Sequence, residues 1–237
     1  VLELGGSDPF IVFNDAVLKD AVKGAINSRF LNSGQSCIAA KRFIVQDKIY
    51  NDFKKQIIDK VSKLNTGNPL NKNQDIGPLA RKDLVDNINK QVENSIKKGA
   101  KVVFQKKVPD KGFFYSPTIL EDVKPGMPVF DQEVFGPVMS IIKFNDFDEA
   151  LLLSNQSKFG LGASLWTKNE SIILKMIDRI ESGMVFVNEI TKSDPRLPFG
   201  GIKDSGLGRE LSFFGLREFS NINLLINNWI DSNPIGY

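Results

Sequence analysis

The sequence predicts an α/β protein with a mostly parallel sheet flanked by helices. Three observations carry that expectation. Short apolar runs of strand length alternate with longer segments of helical periodicity, the runs are rich in Val, Ile and Phe, and the breaks between them fall at Gly, Asn and Pro. At 237 residues, 41% hydrophobic and 25% charged, the chain has the length and balance of an ordinary globular protein able to bury a substantial core.

Taken in order, Phe10-Ile11-Val12-Phe13 reads as a short buried strand, and Val17 to Leu31 as a helix with Val17, Ala21, Val22, Ala25 and Ile26 at apolar positions. Asn32-Ser33-Gly34 ends that helix. Phe43-Ile44-Val45 is the next strand. Ile49 to Leu64 is a second helix whose row Ile49, Phe53, Ile57 and Val61 marks core rather than a cofactor face. Residues 65–78 form a polar loop, Arg81 to Lys98 a third helix closed by Gly99, and Val102-Val103-Phe104 a strand. Residues 108–135, rich in Pro and Gly, are expected to be irregular, and irregular stretches of that length tend to be functional. Val138 to Phe144 and Gly162 to Trp166 read as strands on either side of a helix, Asp148 to Ser157. Glu170 to Ile180 reads as helix, Met184 to Val187 as strand and residues 188–209 as a long loop. The closing segment, Phe219 to Ile226, alternates in part and is expected to be an edge strand in need of a partner.

Composition narrows the function. A formal charge of +3, with basic and acidic residues interspersed, does not suggest a nucleic-acid partner. The lysines at 97, 98, 106 and 107 read as a solvated helix end and turn. One cysteine cannot form an internal disulfide, and without histidine it cannot build a zinc site of the usual kind, so no metal is expected and a cytoplasmic location is. No run reaches the length of a membrane span. The chain opens on Val1-Leu2-Glu3-Leu4 without an initiator methionine, as a piece of a longer polypeptide would.

That one cysteine, Cys37, is the only strongly nucleophilic side chain near neutral pH, and the absence of histidine leaves a carboxylate, a lysine or water as its base. Glu3 lies between Leu2 and Leu4, where an apolar setting would disfavour its ionised form and raise its pKa towards general-base range. Gly5 and Gly6 beside it permit close backbone approach to a ligand or a tight turn. The plainer alternative makes Cys37 a small core hydrophobe and Glu3 a strand end.

Four segments then need one explanation: Leu2-Glu3-Leu4-Gly5-Gly6; Gly34-Gln35-Ser36-Cys37; Glu133-Val134-Phe135-Gly136-Pro137; and Leu197-Pro198-Phe199-Gly200-Gly201-Ile202-Lys203 continuing to Gly206-Leu207-Gly208-Arg209-Glu210. In this order and at these separations they closely resemble the C-terminal half of the NAD(P)-dependent aldehyde dehydrogenase superfamily, from the first residue to about Ile226. The resemblance implies a catalytic domain over residues 1–218 and a C-terminal oligomerisation strand and tail over 219–237. The N-terminal half, which would carry most of the dinucleotide site and an oxyanion-hole asparagine, is absent, and no G-x-G-x-x-G loop occurs.

By the same resemblance Cys37 would be the nucleophile, with its backbone N–H half of an oxyanion hole. Glu3 would be the general base and Glu210 the second carboxylate of a proton relay behind it. Glu133 would bind the nicotinamide ribose of NAD or NADP, with Phe135 beside the ring and Gly5 allowing close approach. Phe199 would wall the substrate funnel; Phe135 and Phe199 as packing residues, and Glu210 with Arg209 as an ion pair, are the structural alternatives. The stretch from Phe186 to Pro198 is most similar to succinate-semialdehyde dehydrogenases, which implies Ser193 and Arg196 at the substrate carboxylate. Leu31 stands where many of those enzymes place a carboxylate-binding arginine, so Arg29 would have to substitute or specificity would be broader. The implied partners are a small-molecule aldehyde and a homo-oligomer or complementing N-terminal half. A non-catalytic truncated subunit, or a dehydrogenase of a phosphorylated aldehyde, is the alternative function.

Overall fold

The computed structural model describes residues 1–226. Its elements in chain order are β1 (Leu2–Glu3), β2 (Pro9–Val12), α1 (Leu18–Phe30), β3 (Arg42–Gln46), α2 (Asp47–Ser62), α3 (Lys82–Lys97), β4 (Lys101–Gln105), β5 (Thr118–Glu121), α4 (Pro128–Asp131), β6 (Val138–Phe144), α5 (Phe147–Asn155), β7 (Phe159–Gly160), β8 (Gly162–Trp166), α6 (Glu170–Ile177), β9 (Met184–Val187), β10 (Ile202–Lys203), β11 (Gly206–Leu207) and α7 (Ser212–Glu218). Seven of the strands form one sheet in the order β4-β5-β6-β3-β2-β8-β9. Every neighbouring pair is parallel except β4 with β5. The mostly parallel α/β architecture read from the sequence is the one found.

A parallel sheet must be covered on both faces, and the alternation along its strands does this. Phe10 and Val12 of β2, with Phe43 and Val45 of β3, pack against Ala21, Val22 and Ala25 of α1 and Phe53, Ile57 and Val61 of α2. Ile11 and Ile44 point the other way, into a second core with Ile88 and Val92 of α3, Phe130 of α4, Leu151 of α5 and Met176 of α6. The row of α2 assigned to the core is therefore core.

Two helices start at side-chain caps. Asp146 accepts the Glu149 N–H at 3.0 Å, so α5 begins at Phe147. Asn169 accepts from Ser171 and Ile172 and opens α6.

Three expectations are corrected. Residues 108–135 are not irregular throughout: they contain β5 and α4. β5 has four residues behind Pro117, too few to show a period, yet its Ile119 and Leu120 enter opposite cores. The loop expected over residues 188–209 contains β10 and β11, which pair with β7 and β1. Residues 219–226 form no strand among the described residues, and α7, unannounced by any period, precedes them. A lone edge segment gains nothing from an extended form without a ladder partner, and none is found among the described residues. Phe219, Ile222, Leu224 and Leu225 are accordingly exposed. The rest of the tail expected at 219–237 lies outside the described residues.

Arg42, at the start of β3, is fully buried and donates to the carbonyls of Ser7, Leu153 and Ser154 while its guanidinium lies 5.3 Å from the centre of the Phe130 ring. Removing it strands buried acceptors. Arg42→Ala is expected to lower the unfolding free energy by about 3 kcal/mol in urea titrations, whereas a loss under about 1 kcal/mol would show that the loops around it hold without it.

Candidate active site

The four segments singled out in the sequence meet at the amino ends of the parallel strands. Residues 3–8 lead into β2, residues 34–41 into β3, residues 132–137 into β6, and β7, which leads into β8, pairs with β10. Because these strands are adjacent and run the same way, their leading loops are neighbours in space.

Cys37 owes its place to an unusual helix end. Asn32, Ser33 and Gly34 adopt φ values of 52°, 57° and 74°, three consecutive left-handed residues that turn the chain sharply after α1. For Asn32 and Ser33 that conformation costs about 1 kcal/mol or more each. Local hydrogen bonds offset it. Asn32 donates to the Gln35 carbonyl, and Ser33 Oγ both accepts from the Gly77 N–H and donates to the Gly77 carbonyl. Gly34 is obligatory: a Cβ there would collide with the Gly136 carbonyl oxygen, so this loop and the one before β6 touch backbone to backbone.

The loop before β2 closes on the same point. A Cβ on Gly6 would sit 2.5 Å from the Cys37 carbonyl oxygen, and one on Gly5 2.6 Å from Glu133 Oε2. The Gly6 N–H donates to Glu133 Oε1 at 3.0 Å. Cys37, Glu133, Gly5 and Gly6 thus form one cluster, with Phe135 half-buried nearby in sequence.

Glu3 belongs to a second, adjoining cluster. β1 pairs with β11, Glu3 opposite Gly206, and the Leu4 N–H and Gly5 carbonyl are both held by Ser205. Phe199 and Glu210 exchange backbone hydrogen bonds of 2.9 and 2.8 Å, which brings Glu210 and Arg209 back to Glu3. Glu3 Oε1 is buried and has no hydrogen-bond partner. Burial, and after it the charge of Glu210, raises the Glu3 pKa, partly countered by Arg209. The flanking leucines do not make this setting, since Leu2 and Leu4 are each about half exposed; the fold of residues 199–210 over Glu3 does, and β1 contains the residue.

Around the Cys37 cluster lie charged side chains that the sequence reading passed over. Asp8 and Lys41 are each about 1% exposed, and Lys41 Nζ donates to the carbonyls of Ser36 at 3.0 Å and Cys37 at 2.7 Å, with Glu133 Oε1 at 3.7 Å. Asp8 accepts the Gly162 N–H. The available signal was a lysine between the apolar run Ile38-Ala39-Ala40 and a strand that must be buried on both faces.

The aldehyde dehydrogenase family model matches residues 1–225. The chain belongs to the aldehyde dehydrogenase family. It is 50% identical over 222 residues to a protein of Synechocystis named probable succinate-semialdehyde dehydrogenase (NADP+), covering 93% of this chain and 49% of that protein. Over 223 residues it is 47% identical to succinate-semialdehyde dehydrogenase (NADP+) 1 of Mycobacterium bovis, with 94% and 49% covered. Among solved structures, succinate-semialdehyde dehydrogenase from Burkholderia pseudomallei superposes with a TM-score of 0.89 at 37% identity, covering 92% of this chain and 46% of that one. The chain spans about half the length of the curated relatives it matches.

Within this aldehyde dehydrogenase half, the residues expected at the substrate carboxylate are less closely gathered. Arg196 is 84% exposed and already forks onto Asp194, with bonds of 2.9 and 2.6 Å, so a ligand carboxylate would compete with that pair. Ser193 is exposed. Buried Phe199 lines a groove of about 400 Å³ with β9, Glu189, Lys192 and Asp194. Arg29 cannot replace the arginine missing at Leu31: it is fully buried and donates to the Ala40, Gly34 and Val134 carbonyls, while Leu31 is 70% exposed. Burial lowers the Arg29 pKa to about 9, and its role is to tie α1 to the Cys37 loop.

Proposed function

We propose that this chain is the catalytic half of an enzyme that oxidises an aldehyde to the carboxylic acid with NADP or NAD, succinate semialdehyde being the favoured substrate. The observation that carries the reading is the meeting of four loops around a half-exposed thiol, beside a carboxylate with one unpartnered oxygen. The relatives named as succinate-semialdehyde dehydrogenases support the substrate and the preference for NADP.

Cys37 attacks the aldehyde carbon as its thiolate. The Cys37 backbone N–H faces the developing oxyanion as one of its two donors. When bound, the dinucleotide supplies the hydride acceptor. The residues present fit part of it: Glu133 keeps its carboxylate at the Gly5–Gly6 backbone, where the absence of side chains leaves room for a ribose edge, and Phe135, two residues on, would lie beside the nicotinamide ring. No phosphate-cradling glycine loop occurs in the sequence, so the pyrophosphate would be held by polypeptide outside this chain. Glu3, its pKa raised and Oε1 free, takes the proton from the water that hydrolyses the thioester. Glu210 lies behind it as the next proton acceptor. Ser193 offers a hydroxyl to the substrate carboxylate, and Arg196 its charge once released from Asp194.

The partner is a second copy or the complementing N-terminal half. Leu207, Phe213, Phe214, Leu216 and Phe219 are each more than half exposed, and with Ile222 to Ile226 they make an apolar surface beyond what a lone soluble chain presents. Light scattering of the 237-residue chain is expected to show association, and a monodisperse monomer would contradict it.

Replacing Glu3 tests the mechanism. In the full-length enzyme, Glu3→Gln is expected to keep a rapid burst of NADPH and to slow steady turnover by tenfold or more, since an amide cannot accept the proton. Stopped-flow absorbance reads both phases. Unchanged steady turnover would remove Glu3 from the mechanism, and loss of the burst with it would assign Glu3 to the first step.

A further inference from the structure

Lys41 is a charged residue with no part in the chemistry outlined above, and it is unusually placed. A buried ammonium ion must be hydrogen-bonded and balanced by opposite charge. Lys41 satisfies two of its three donors on the carbonyls of Ser36 and Cys37, in the loop that carries the thiol, and the nearest carboxylate is Glu133 at 3.7 Å. That carboxylate also holds the Gly6 N–H, and a Cβ on Gly6 would touch the same Cys37 carbonyl. Lys41, Cys37, Gly6 and Glu133 therefore close a ring of contacts through the thiol's own peptide unit.

The charges facing this ammonium come from every element packed around it. Asp8 approaches ahead of β2, Glu133 ahead of β6, Arg29 from α1, and Cys37 from its own loop. Arg42, next in sequence, turns to the Ser7, Leu153 and Ser154 carbonyls. Burial of the thiol works against its ionised form, and Asp8 and Glu133 add to that; Lys41 is the largest influence in the other direction. No histidine exists to do this work.

We propose that Lys41 is the positioning residue of Cys37: its ammonium ion fixes the loop through two carbonyls and supplies the counter-charge for the thiolate, with Glu133 setting how much of that charge the thiol feels. The proposal rests on Cys37 being the nucleophile, and it gives Glu133 a second task besides its place at the cofactor. A ribose that engaged the Glu133 carboxylate would loosen its hold on Lys41, so cofactor binding and thiol activation would be linked.

The test is the pH dependence of Cys37 alkylation by iodoacetamide in the full-length protein without cofactor or aldehyde, followed by mass mapping of the Cys37 peptide. Lys41→Met keeps the stem and removes the charge. Its alkylation midpoint is expected to rise by about one pH unit relative to the unsubstituted protein, and that of Glu133→Gln to fall by roughly half a unit. Far-UV circular dichroism and the unfolding midpoint establish that each variant is folded. Should Lys41→Met not fold, Lys41→Gln, whose amide can still donate to the loop carbonyls but carries no charge, decides in its place with the same expected rise, because Glu133 acts on the thiol directly and its removal alone does not test the lysine. Midpoints that stay within about 0.2 units of the unsubstituted protein in the folded variants would overturn the proposal. The outcome is separable from the catalytic reading. Full turnover in Cys37→Ser would end that reading without touching the midpoints, whereas unmoved midpoints in an enzyme that needs Cys37 would end this one.

Discussion

The site depends on burying cations at the amino end of a parallel sheet. Arg29, Lys41 and Arg42 are each about 1% exposed or less, and among them they donate hydrogen bonds to the carbonyls of Gly34, Ser36, Cys37, Ala40, Ser7, Val134, Leu153 and Ser154. A buried cation without acceptors is very costly, so the loops that own these carbonyls cannot move away without exposing or stranding a charge. Two acidic residues, Asp8 and Glu133, complete the set. Backbone carbonyls thus satisfy the donors, and the carboxylates balance the charge.

Rigid loops explain the position of the chemistry. In open α/β sheets ligands usually sit beyond the carboxyl ends of the strands, where helix amino termini point at them. Here the thiol and its carboxylates gather at the opposite edge, where irregular loops precede β2, β3 and β6. Such loops carry no regular ladder to hold them, and buried side-chain donors take its place. Burial raises the pKa of both Glu3 and Cys37; in the proposed mechanism that is useful for a base that must hold a proton and unfavourable for a thiol that must lose one. A cation is needed at the second and not at the first.

Much of this was legible in the sequence, for definable reasons. Central strands such as Phe43-Ile44-Val45 are continuous apolar runs, and α2 has a four-residue row, so each announces itself by period or composition. The left-handed exit from α1 was legible at Asn32-Ser33-Gly34 because few other residue types make that turn. Cys37, Glu3 and Glu133 stood out by glycine neighbours, and those glycines prove to be points where another backbone or carboxylate leaves no room for a Cβ. Hidden were the elements too short for a period, β5 and α4, and the role of Lys41 and Arg42, since nothing in a one-dimensional pattern shows where a lysine's long stem ends. The edge strand expected at 219–226 failed for a different reason: partial alternation gives no ladder partner, and none is found for it among the described residues.

If Cys37 is the nucleophile, the carbon oxidised becomes bonded to its Sγ. Acid quenching of full-length enzyme during turnover of succinate semialdehyde with NADP, followed by peptide mass spectrometry, tests it most directly. A succinyl mass increment is expected on the peptide containing Cys37 and nowhere else, accumulating in Glu3→Gln. Turnover that proceeds with the Cys37 peptide unmodified at every time sampled would contradict it.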